Sequence, residues 1–112
     1  MLTKELVAAS TEPLILSLLS EGESYGYALI QEVKRRSGDK IEWTDGMLYP
    51  VLHRLEREGL IESEWQKAES GRERKYYRLT DSGKKAKRQE QAEWLKVHNA
   101  MARLWKINPV SV

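Results

Sequence analysis

The sequence predicts a mainly α-helical domain carrying one small β-hairpin, and three observations predict it. Apolar residues recur at three- and four-residue steps through most of the first sixty positions and again near the C-terminus, whereas residues 60–65 and 74–79 read as strands. The hairpin follows directly on a helix whose outward face is not that of an ordinary solvated helix. A last, long helix carries an apolar seam that little of the remaining chain can cover. Helices, then a hairpin, then a lone helix is the order of a winged helix-turn-helix over residues 1–80, with a C-terminal dimerisation helix and tail over 81–112.

Taken in order, residues 1–10 form a helical arm with Leu2, Leu6 and Val7 on it. Thr11-Glu12-Pro13 reads as a helix start, since proline is tolerated where its missing N–H is not needed. Leu14, Ile15, Leu18 and Leu19 then make a buried stripe, ended at Glu21-Gly22-Glu23. Ser24 is the expected N-cap of a second helix running to Arg36, with Tyr25, Leu29, Ile30 and Val33 inward. A turn at residues 37–40 leads to Ile41-Glu42-Trp43, expected to be a short extended piece.

The stretch from Thr44 to Gly59 is the centre of the chain. Thr44 is a good N-cap, Asp45 places negative charge in the first turn, and Gly59 is a natural stop. Met47, Leu48, Val51, Leu52 and Leu55 make one face apolar. Opposite them lie Gly46, Pro50, His53 and Arg57, with Tyr49 and Arg54 as flanks. A proline inside a helix removes a hydrogen bond and crowds the carbonyl four residues back, at a cost of about 3 kcal/mol. Four residues back is Gly46, whose missing side chain leaves the backbone room to adjust. Such a face, small, ring-shaped and cationic, fits a recognition helix set against the DNA major groove. A surface helix with a harmless kink is the other reading of the same residues.

After Gly59 the two strands form a hairpin whose loop is too long for a tight turn. Following a recognition helix, such a hairpin is a wing. Lys67, Arg72, Arg74 and Lys75 can reach phosphates or a minor groove from it, or serve as a charged edge against aggregation. Thr80 is the expected N-cap of the last helix, from Asp81 to about Lys106. Lys84, Lys85, Lys87 and Arg88 crowd its positive end, where a nearby anion relieves the repulsion. Further along, Trp94, Val97, Met101 and Leu104 follow a four-three spacing, with His98 and Trp105 beside them. Pairing with a second copy of the helix is the simplest cover for this seam; packing back on the first helices is the alternative.

Composition narrows the class. The 112 residues make one domain, 40% hydrophobic and 32% charged, with a net charge of +2. That balance hides an asymmetry. Residues 1–60 hold seven Lys/Arg against ten Asp/Glu, residues 61–112 twelve against seven, and nine of those twelve fall between Gln66 and Arg88. Clustered cations of this kind attract a polyanion. There is no cysteine, so neither a disulfide framework nor a thiolate centre is expected. The longest apolar run is too short to span a bilayer and the first ten residues do not read as a signal peptide, so a cytoplasmic protein without a membrane partner is expected. His53 and His98 are the only histidines, and no phosphate loop or metal-ligand spacing occurs. Neither an enzyme nor a cofactor is expected. A winged-helix module that meets another protein through the Tyr49, Pro50 and His53 face is the rival to DNA binding.

The tracts E-G-E-S-Y-G-Y-A-L-I, G-M-L-Y-P-V-L-H-R-L-E-R-E-G-L-I-E-S-E-W and S-G-R-E-R-K-Y-Y-R-L-T-D-S-G, in that order and spacing, closely resemble the PadR family of bacterial transcriptional regulators. Met47 stands where many members have Thr, and Glu73 where a small residue or Pro is common. The resemblance implies a winged helix-turn-helix that dimerises through its C-terminal helix, of the short subfamily. It places Thr44, Gly46, Tyr49, Pro50 and His53 at or near the groove of an inverted-repeat DNA operator, and Arg72, Arg74 and Lys75 on the wing; Arg54, flanking the same helix face, is counted with them as a DNA-binding candidate. The homodimer it implies would use the apolar seam of the C-terminal helix, Trp94, Val97, Met101, Leu104 and Trp105. Trp94 matches the position at which multidrug-sensing members stack flat aromatic effectors, so it is the candidate ligand residue.

Overall fold

A computed structural model describes residues 1–109. Four helices, α1 (Lys4–Leu19), α2 (Gly26–Arg36), α3 (Asp45–Arg57) and α4 (Asp81–Trp105), surround a three-stranded antiparallel sheet. Its strands are β1 (Ser24–Tyr25), β2 (Ile61–Lys67) and β3 (Glu73–Leu79), in the order β1-β3-β2. Ile15, Leu16, Leu29, Leu48, Leu52, Leu55, Ile61 and Tyr77 are fully buried and form the centre of the core. No helix among the described residues is long and apolar enough to cross a membrane. This is the expected mainly α winged helix-turn-helix with a trailing helix.

The N-terminal region differs from expectation. Thr11-Glu12-Pro13 starts no helix: α1 runs unbroken from a cap at Thr3, whose hydroxyl accepts from the Leu6 amide at 3.2 Å, and Pro13 lies inside it. Val7, Thr11, Ile15 and Leu19, each four residues apart, are all buried, so one continuous stripe crosses the supposed boundary. Burying those side chains outweighs the hydrogen bond that proline forfeits. Thr11, lacking a capping role, donates its hydroxyl to the Val7 carbonyl at 2.8 Å.

Ser24 is likewise not the cap of α2. Ser24 and Tyr25 pair with Tyr77 and Tyr76 as a third strand, and Tyr25 precedes α2 without a side-chain cap bond. The Tyr25 and Tyr76 rings meet edge to face with centroids 5.3 Å apart, a cross-strand pair that the one-dimensional pattern could not reveal. Ile41-Glu42-Trp43 finds no strand partner. Trp43 instead enters the core, 3% exposed.

The second half follows the sequence closely. The hairpin pairs Ile61 with Leu79 through Lys67 with Glu73, joined by a loop at residues 68–72 in which the Ala68 amide donates to the Arg72 carbonyl at 2.8 Å. Thr80 caps α4, accepting from the Gly83 amide at 3.1 Å, while its hydroxyl donates to the Gly59 carbonyl at 2.6 Å. The start of α4 is thereby tied to the end of α3. Gly83 makes that junction possible: a Cβ there would overlap the Leu60 carbonyl oxygen.

Candidate nucleic-acid interface

The geometry of α3 begins with its buried side. Leu48, Leu52 and Leu55 have no exposed surface, which fixes the rotation of the helix about its axis. Thr44 holds its start, the hydroxyl accepting from the Met47 amide at 3.2 Å. With the apolar side pinned, Thr44, Asp45, Gly46, Pro50, His53 and Arg57 all face solvent. Both the small pair Gly46/Pro50 and the ring of His53 are therefore presented outward, as the sequence predicted.

The flanking residues are more engaged than the sequence indicates. Tyr49 is half-buried, its hydroxyl set against Gly26, where a Cβ would collide with it, and its ring centroid 6.2 Å from that of His53. Arg54 donates to Glu12 of α1 at 2.6 Å and to Glu58 at 3.2 Å. These bonds raise its pKa, led by the hydrogen bond to Glu12. A guanidinium so neutralised locates α3 against α1 as well as facing outward.

On the wing, Arg72 is exposed at the tip. The Arg74 guanidinium lies 4.5 Å from the centroid of the Tyr25 ring, a cation–π contact. Lys75 points inward, 3.8 Å from Glu56 of α3 and 5.6 Å from the Tyr77 ring centroid. Burial, then the nearby Glu56 and Tyr49, push the Tyr77 hydroxyl up to about 12, so it stays protonated at neutral pH. On the opposite face of the hairpin, Glu62 and Glu64 both meet Arg78, at 2.8 and 3.4 Å.

Between the wing and the first turn of α3 runs a groove of about 370 Å³. Tyr25, Tyr27, Asp45, Trp65, Arg72 and Arg74 are among its walls. Tyr27 and Trp65, two exposed aromatics here, were not singled out from the sequence. Trp65 shares its strand face with buried Ile61, which would forecast an inward side chain; the distal half of the hairpin projects past the body, so nothing covers it.

The seam of α4 is open in the single chain. Trp94 is 39%, Val97 53%, Leu104 80% and Trp105 64% exposed, while Met101 is half-buried and Ala102 fully buried. Trp94 stands between two hollows. One, of about 270 Å³, is walled by Ser10, Pro13, Leu14 and Ser17 of α1 with Gln91 and Leu95. The other, of about 390 Å³, is walled by Glu90, Glu93 and Val97. The described residues contain no cluster of three or more His, Cys, Asp or Glu able to hold a metal ion.

Comparison with known proteins gives a consistent picture. Residues 15–89 match the transcriptional regulator PadR-like family. The chain is 40% identical over 83 residues to the transcriptional regulator Rv3488 of Mycobacterium tuberculosis, covering 74% of each. It is 37% identical over 84 residues to the negative transcriptional regulator PadR of Bacillus subtilis, covering 75% of this chain and 44% of that one. A PadR family transcriptional regulator of Eggerthella lenta superposes with a TM-score of 0.78 at 36% identity, over 93% of this chain and 88% of the other.

Proposed function

The chain belongs to the PadR-like family, whose members are DNA-binding transcriptional regulators rather than enzymes, and on that footing we propose that it is a homodimeric repressor of an inverted-repeat operator. Two copies of α3 enter successive major grooves roughly one helical turn apart, with the Thr44, Gly46, Tyr49, Pro50 and His53 region towards the bases. Arg72 and Arg74 neutralise phosphates from the wing, and Lys75 supports it. Arg54 serves chiefly to fix the helix, because Glu12 and Glu58 already engage its guanidinium. The observation that carries this reading is the pairing of two exposed surfaces on one chain: the outward Gly46/Pro50/His53 face and the open apolar seam of α4. The first needs a groove, the second a copy of itself.

Dimerisation joins Trp94, Val97, Met101, Leu104 and Trp105 across a twofold axis. The hollows beside Trp94 then accept a flat aromatic effector, which releases DNA if it favours a different spacing of the two α3 helices. The repressor assignment is supported by the negative regulator of Bacillus subtilis named above. Such a protein works in the cytoplasm, where its operator is.

Mobility shift on DNA upstream of the protein's own gene tests the core of this reading. A specific complex whose footprint shows two symmetric half-sites is the expected result. Binding that is indifferent to sequence, or a footprint of a single half-site, refutes it. For the effector, planar dyes should quench tryptophan fluorescence saturably and Trp94→Ala should abolish the effect; unaltered saturable quenching in the variant places the ligand elsewhere.

A further inference from the structure

Two exposed aromatics stand apart from the seam of α4. Tyr27, the second residue of α2, is 62% exposed, and Trp65, in the distal half of β2, is 66% exposed. Both line the groove of about 370 Å³ between the wing and the first turn of α3. None of its walls comes from α1 or α4, the helices that border the hollows beside Trp94, so it is a separate surface. Each of the two rings carries a polar handle. The Tyr27 hydroxyl accepts from the Gln31 side-chain amide at 2.9 Å, and its own O–H is a donor. The indole N–H of Trp65 is a donor only. Around them the hairpin contributes Arg72, Arg74 and Lys75 against Glu73, while α3 contributes the carboxylate of Asp45. Cations thus gather on the hairpin side of the groove, and the helix side is acidic.

What fills such a groove follows from where it lies. A single sugar–phosphate backbone separates a major groove of DNA from the minor groove beside it. A helix set in the one and a hairpin reaching into the other straddle that backbone, and the space between them receives it. The strand alternates apolar sugar with anionic phosphate. The walls match this alternation: ring faces suit the sugars, while the arginines and the two neutral donors suit phosphate oxygens. Asp45 repels phosphate and so sets the strand against the hairpin side.

We propose that Tyr27 and Trp65 are DNA contacts, holding the one strand that passes between α3 and the wing through their ring faces and their O–H and N–H donors. This rests on the operator-binding reading above and adds to it a contribution without charge. Cations that neutralise phosphates release counterions, and their share of the affinity falls with salt; a neutral donor or an apolar ring releases none. Tyr27 and Trp65 therefore supply affinity that salt does not remove, beside Arg72 and Arg74, whose share it does remove.

Trp65→Ala and Tyr27→Ala in the full-length protein supply the test. Anisotropy titrations at several salt concentrations, on a labelled duplex from upstream of the protein's own gene and on an unrelated duplex, give affinity and salt slope together. Each substitution should weaken binding to both duplexes about tenfold at every salt concentration and leave the slope at the wild-type value. The difference in emission between the wild type and Trp65→Phe isolates Trp65, and either duplex should quench it. Unchanged affinity in both alanine variants, or Trp65 emission indifferent to duplex, overturns the proposal. So does a loss of affinity with a flattened slope, which would mean that the substitutions only displaced Arg72 and Arg74. If the wild type binds both duplexes equally while the tenfold losses and the quenching persist, the strand contact stands and the operator reading falls.

Discussion

Leu104→Ala separates the dimer seam from the core by arithmetic. In the single chain Leu104 is 80% exposed, so removing it leaves no cavity and the fold of each protomer is expected to be unchanged. In the proposed dimer its burial comes from the partner copy. Covering a leucine side chain fully is worth about 2 kcal/mol, and four-fifths of that, counted in both copies across a twofold axis, is about 3 kcal/mol. A loss of that size weakens dimerisation about a hundredfold. Sedimentation velocity over a concentration series reads the dissociation constant, and far-ultraviolet circular dichroism checks that helicity is retained. A dimer as tight as the wild type, with fold intact, would show that the C-terminal part of α4 lies outside the interface. Loss of helicity instead would mean that Leu104 packs within its own protomer.

Two further outcomes are expected. Arg72→Ala combined with Arg74→Ala should weaken binding to operator and unrelated DNA alike and flatten the salt slope by about three to four, as four phosphate contacts per dimer disappear; titrations at several salt concentrations measure it, and an unchanged slope removes the wing from the contacts. Gly83→Ala should destabilise the fold by about 1–3 kcal/mol, seen in urea unfolding, because the added methyl meets the Leu60 backbone carbonyl, which the Thr80 amide holds in place.

How far the sequence reached depends on the range of the interactions involved. The caps at Thr44 and Thr80 are bonds between residues three apart, and a hydroxyl at the right offset announces them. The outward set of Gly46, Pro50, His53 and Arg57 follows from the 100° step of the helix once Leu48, Leu52 and Leu55 are recognised as buried. The hairpin was legible from the change of period after Gly59. Each of these is a local consequence of spacing, and each is present in the structure.

What only the tertiary structure decided are features whose free energy comes from distant partners. Pro13 argued locally for a helix boundary, yet a stripe from Val7 to Leu19 packed on the core carries α1 through it. Ser24 argued for a cap, yet β3, some fifty residues on, offers Ser24 and Tyr25 a ladder of backbone bonds. Arg54 sits on α3 like any flanking cation, and the carboxylate that engages it is 42 residues away in the chain. Spacing along the chain determines which face a helix offers; which groups then satisfy or bury one another depends on elements brought together by the collapse of the core, and that is written in no single stretch.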